Sequence, residues 1–83
     1  MSSKLKPADG DEWEARATGI LKAELARRKI SYVKLAELLK SEYGIDETQH
    51  NLSNKVRRGK FSAVFMLQVL EVIGCERLEV KSY

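Results

Sequence analysis

The chain has 83 residues, 43% of them hydrophobic and 33% charged, with 15 Lys+Arg against 12 Asp+Glu. That length makes one small domain with a modest core and leaves no room for a second, and the composition is that of a helical globular protein rather than a disordered chain. A formal charge of +3 names no partner by itself, while a single cysteine, Cys75, excludes an internal disulfide and any Cys/His cluster with metal-ligand spacing.

The first ten residues, MSSKLKPADG, are polar and aperiodic, contain Pro7 and Gly10, and read as a mobile arm carrying Lys4 and Lys6. They lack the apolar run of a signal peptide. The longest apolar stretch, AVFMLQVLEVIGC, is interrupted by Gln68 and Glu71 and is too short to span a bilayer. The expectation is a cytoplasmic protein with no membrane contact. Asp11 and Glu14 then spell a capping box, which predicts a first helix running to about Lys29. Its apolar residues Trp13, Ala17, Ile20, Leu21 and Leu25 recur at steps of three and four, giving one buried stripe with Trp13 in the core.

Ser31 is a strong N-cap for a second helix, with Ile30 and Leu35 placed as a hydrophobic staple around it. Val33, Leu35, Ala36, Leu38 and Leu39 face inward and Gly44 supplies the left-handed stop. Asp46 with Gln49 forms a second capping box, so a third helix is predicted over 46–58 and closed by Gly59. Phe61 and Met66 bracket Ser62 at the start of a fourth helix, from about Ala63 to Ile73, with Gly74 beyond it. This last helix is apolar nearly all round, which suits the centre of a bundle or a second face against another copy of the chain. Over residues 76–83 the alternation of Arg77, Leu78, Glu79, Val80 and Lys81 allows a short strand or a fifth helix, and the strand is preferred.

Acid is distributed unevenly: from Thr48 to Gln68 there is no aspartate or glutamate, and from Thr48 to Ser62 the polar residues are amides, hydroxyls, His50 and the cations Lys55, Arg57, Arg58 and Lys60. Leu52 and Val56 share one bearing on the third helix and must be its buried side. The opposite face then carries Glu47, His50, Asn51, Asn54, Arg57 and Arg58, with Ser53 and Lys55 on the flanks. Amides can make paired bonds to adenine edges in the major groove, and guanidinium and ammonium groups bond guanine or neutralise phosphate. Loss of carboxylates from such a surface removes repulsion with a nucleic acid.

From Leu21 to about Leu78 the chain resembles the helix-turn-helix domain of the Cro/C1 (phage lambda repressor-like, XRE) family of small bacterial regulators. The matching text is LKAELARRKISYVKLAELLK, NLSNKVRRGKFS and AVFMLQVLEVIG, with Ala36, Leu52, Gly59 and the run from Phe65 to Ile73 in corresponding places. The interval from Ala36 to Gly44 is longer than the family's turn. The resemblance implies an all-α bundle of four to five helices over 11–75, with the third as recognition helix of a sequence-specific transcriptional regulator. It assigns base contacts to His50, Asn51 and Asn54, to which the chemistry of the outer face adds Arg58. Phosphate contacts fall to Ser31, Tyr32 and Lys34 at the start of the second helix, to Ser53, Lys55 and Arg57 on the third, and to Gly59, Lys60 and Ser62 in the loop behind it. Double-stranded DNA is the implied partner, and related regulators bind as dimers, so a homodimer is also expected.

The competing class is a protein-interaction module, antitoxin-like or an adaptor, that offers the same basic face to an acidic partner. The amide cluster separates the two, because an acidic protein surface does not require it. No base and orienting group can be assembled around Ser31, Ser53 or Ser62, so no enzyme is expected. No motif for a cofactor, metal or small-molecule ligand stands out.

Overall fold

The computed structural model of the chain describes residues 10–78 and 80. It is all-α, with helices α1 (Gly10–Arg27), α2 (Tyr32–Tyr43), α3 (Gln49–Arg58) and α4 (Ala63–Val72). Nearly all of the arm expected over 1–10 lies outside the described residues. Among the described residues there is no strand: residues 75–78 carry no regular element, with Leu78 half-buried against the core and Val80 exposed. The preferred tail strand is therefore not found in that part of the tail.

Hydroxyl side chains start three of the helices. Ser31 Oγ accepts from the Lys34 N–H at 3.1 Å and Ser62 Oγ from the Phe65 N–H at 3.0 Å, as the sequence indicates. For α3 the expectation needs correction: Thr48 Oγ1 accepts from the Asn51 N–H at 3.0 Å, and the helix begins at Gln49 rather than Asp46. Asp46 remains exposed and pairs instead with Lys40 at 3.7 Å. Asp11 is likewise inside the first turn of α1 rather than at its cap, where its charge still suits the positive end of the helix. Lys29, in the left-handed region at φ 57°, turns the chain after α1, and the Ile30 N–H closes back on the Leu25 carbonyl at 2.9 Å.

One core joins the four helices: Leu21 and Leu25 from α1, Leu35 and Leu39 from α2, Leu52 and Val56 from α3, Val69 and Leu70 from α4, with Ile73 just beyond. Helix α3 rests on α1 and α2, and α4 on α2 and α1. Two inward assignments are wrong. Trp13 is 51% exposed, with the Arg16 guanidinium 4.4 Å from its ring centroid, and Val33 faces solvent while Tyr32 packs on the core in its place. On α4, Val64 and Leu67 are exposed, so this helix does present a second apolar face.

Glu24 is a charged residue inside this core, 3% exposed. Its carboxylate accepts from Arg27 at 2.6 Å, from Arg28, and from the Cys75 thiol at 3.6 Å. Burial pushes the Glu24 carboxyl up, but hydrogen bonds from Arg28 and Arg27, and the charge of Arg27, outweigh it and hold the group below its ordinary value of 4.5. A carboxyl with a depressed folded value contributes stability above its unfolded value and loses it as pH falls through the folded one. The stability gap between the wild type and Glu24→Gln should therefore be open at neutral pH and close as pH drops below about 4.5. Urea titrations at several pH values check this, and a gap that stays constant down to pH 3, or roughly that, would show the carboxylate charge to be irrelevant.

Candidate functional site

The roll of α3 about its axis is fixed by Leu52 and Val56, both fully buried. Gln49, His50, Asn51, Arg57 and Arg58 are consequently exposed, and Ser53, Asn54 and Lys55 half-buried. Gln49, which the sequence reading used up in a cap, is freed by Thr48 and adds an exposed amide to the first turn. The later helix start is the signal that would have found it.

Asn54 is half-buried and bonded to two neighbours on its own helix. Its amide N–H donates to His50 Nε2 at 3.2 Å, and its carbonyl accepts from Arg57. These three side chains form one chain of bonds along the outer face. Asn51 lies outside that chain, exposed, with no side-chain hydrogen bond among the described residues.

The cations divide by their counter-ions. Lys55 Nζ lies 2.7 Å from Glu47 Oε2 and 4.8 Å from the centre of the Phe65 ring. Lys60 is 3.8 Å from Glu14, and Lys34 is 3.9 Å from Glu37 on its own helix. Arg58 has no carboxylate partner among the described residues. Lys55, Arg57 and Arg58 in the last turn also suit the negative end of the α3 dipole, so part of this charge has a purely structural use. Glu47 is not on the exposed face where the sequence reading put it. It precedes the helix, half-buried, and folds along α3 to reach Lys55.

A cleft of about 400 Å³ runs between α3 and the loop that follows it. Asn51, Asn54, Lys55 and Arg58 form one wall, Lys60 and Phe61 the other, and Glu47 closes one side. Three of the four residues assigned to bases and two assigned to phosphates therefore converge here. The other phosphate set does not line this cleft: Ser31 and Ser62 spend their hydroxyls as helix caps, and Tyr32 is half-buried against the core, its phenol pushed up by burial. Ser62 leaves the backbone N–H groups of Ala63 and Val64 at an exposed helix start, where an anion is favoured.

Helix α1 clamps the end of α3 through residues that the sequence reading passed over. Thr18 Oγ1 donates to the Val56 carbonyl at 2.6 Å, which also accepts from the Gly59 N–H, and has the Arg57 carbonyl as a longer second acceptor at 3.3 Å. Gly59, at φ 69°, turns the chain directly under the Glu14 backbone. Thr18 follows the same three- and four-residue rhythm as Leu21 and Leu25, a signal visible only if polar residues are allowed on the buried face.

Among the described residues no group of three His, Cys, Asp or Glu side chains could hold a metal ion, and no helix is long and apolar enough to cross a membrane. Fold and site together define a small four-helix domain with an amide- and cation-bearing third helix turned outward. Residues 13–78 match the family described as "Domain of unknown function (DUF6471)", and the chain belongs to that family. No curated protein and no solved structure matches it.

Proposed function

We propose that the protein binds double-stranded DNA sequence-specifically through α3, as a small transcriptional regulator of the Cro/C1 kind acting in the cytoplasm, and that it is not an enzyme. The observation that carries this reading is the outer face of α3. Gln49, His50, Asn51 and Asn54 lie in its first two turns and Arg57 and Arg58 in its last, with no carboxylate in the helix itself. An amide-rich start and a cationic end fit a helix whose first turns meet base edges and whose end lies along the sugar-phosphate wall. The exposed Val64 and Leu67 on α4 support self-association, which would set two such helices against paired half-sites.

The test begins with the wild type on random duplex DNA across a salt series, where phosphate-driven binding weakens steeply as salt rises. No binding at low salt would favour the interaction module with an acidic protein partner. On a selected site, Asn51→Ala should cost roughly 1–3 kcal/mol and much less on random duplex. Asn54→Ala should cost less than Asn51→Ala, since Asn54 must first release Arg57. Lys60→Gln should weaken both kinds of DNA alike and flatten the log-log salt slope by about 0.9. Equal losses on every sequence from the amide substitutions would rule out base reading by this face, and sedimentation of the same complexes reports whether one copy or two is bound.

A further inference from the structure

Of the cations around the cleft, Lys55 is held differently from the rest. The exposed pairs Lys34–Glu37 and Lys40–Asp46, and Lys60 with the half-buried Glu14, span 3.7 to 3.9 Å. Pairs of that kind contribute little and open readily when a phosphate approaches. Glu47 and Lys55 meet at 2.7 Å with side chains 22% and 39% exposed. The ammonium is also held over the Phe65 ring, which itself packs against Phe61 at 5.7 Å between centroids. Lys55 is thus bound on one side by a carboxylate and on the other by an aromatic face.

We propose that Glu47 is a specificity-determining residue that holds Lys55 away from DNA phosphates and so suppresses sequence-independent binding. The reasoning rests on the DNA-binding reading of α3 and follows from charge accounting in the cleft. Lys55, Arg58 and Lys60 bring three positive charges and Glu47 one negative. Non-specific affinity comes almost wholly from the number of phosphates neutralised, whereas base edges are read by the amides. A carboxylate that occupies one lysine lowers the first quantity and leaves the second untouched. It therefore raises the ratio of specific to random binding, the quantity that matters when competing sites are abundant. Glu47 precedes the helix by two residues and closes one side of the cleft, so it restrains Lys55 from outside α3.

The experiment measures affinity for random duplex between 50 and 200 mM salt for the wild type, Glu47→Gln, Lys55→Met and the double variant. These salt concentrations bracket the range over which one phosphate contact changes affinity about three- to fourfold. Glu47→Gln should bind random duplex several-fold more tightly at low salt, with a log-log slope steeper by about 0.9. The steepening of the salt slope on Glu47→Gln should vanish in the Lys55→Met background, where no cation is released to meet a phosphate. An equal steepening in both backgrounds would mean that Glu47 acts only by repelling phosphate, and a slope flattened by about 0.9 in Lys55→Met would mean that the lysine already contacts DNA; either overturns the proposal. Thermal melts of all four proteins keep a folding defect from being read as a binding effect. Absence of wild-type binding at every salt concentration would remove the DNA-binding reading itself, and this inference with it.

Discussion

Gly59→Ala should leave the chain largely unfolded at physiological temperature. Two independent costs fall on that one methyl group. The backbone at Gly59 is left-handed, at φ 69°, a conformation that costs an L-residue about 1–2 kcal/mol. A Cβ there would also lie 2.7 Å from the Glu14 carbonyl carbon and 2.9 Å from its Cα. Those atoms belong to the α1 backbone and cannot turn aside as a side chain would. Relief requires α1 to move off α3, which breaks the Thr18 bonds to the Val56 and Arg57 carbonyls. The total exceeds about 4 kcal/mol, a large part of what so small a domain has. Gly44→Ala is the control: its φ is 70° with nothing within 4 Å of the added carbon, so it should cost only the backbone strain. Urea denaturation of both variants separates the two contributions, and equal losses would mean that α1 does not press on Gly59.

The same crossing explains what was and was not legible in the sequence. For α3, Leu52 and Val56 are its aliphatic residues and both are fully buried, so its buried and outer faces could be read directly. On α1 the apolar residues alone pointed the stripe toward Trp13. The buried face is rotated from that direction because it also includes Thr18 and Glu24, polar groups whose bonds are made by the α3 carbonyls, by Arg27 and Arg28, and by Cys75. Nothing local in the sequence announces those partners, since Thr18 and Val56 are 38 positions apart and Glu24 and Cys75 51. Caps were legible where one hydroxyl stood alone, as at Ser31 and Ser62. Before α3 the pattern Asp46 with Gln49 pointed to Asp46 as the cap, whereas the free N–H of Asn51 is met by Thr48 Oγ1. At the candidate site the amides and cations could be named from sequence, but the Glu47–Lys55 and Arg57–Asn54 bonds that set which of them are available could not.

Leu52→Ala should lower stability by roughly 2–5 kcal/mol, the range for a fully buried leucine whose surroundings close only partly around the space left. For a domain of this size the fall in melting temperature is on the order of 10–30 °C. The loss has a second meaning, because Leu52 sits where α3 rests on both α1 and α2 and, with Val56, fixes which way His50, Asn51 and Arg58 face. Leu52→Met keeps the volume and should cost less than about 1.5 kcal/mol, so a protein with that substitution should stay folded and present the same outer face. Any change in DNA affinity that accompanies Leu52→Ala but is absent from Leu52→Met then reports unfolding and not recognition. A melting temperature left unchanged by Leu52→Ala would require α3 to pack on another side. In that case the amides and Arg58 would no longer be the residues turned to solvent, and the interface proposed on them would fail together with the packing.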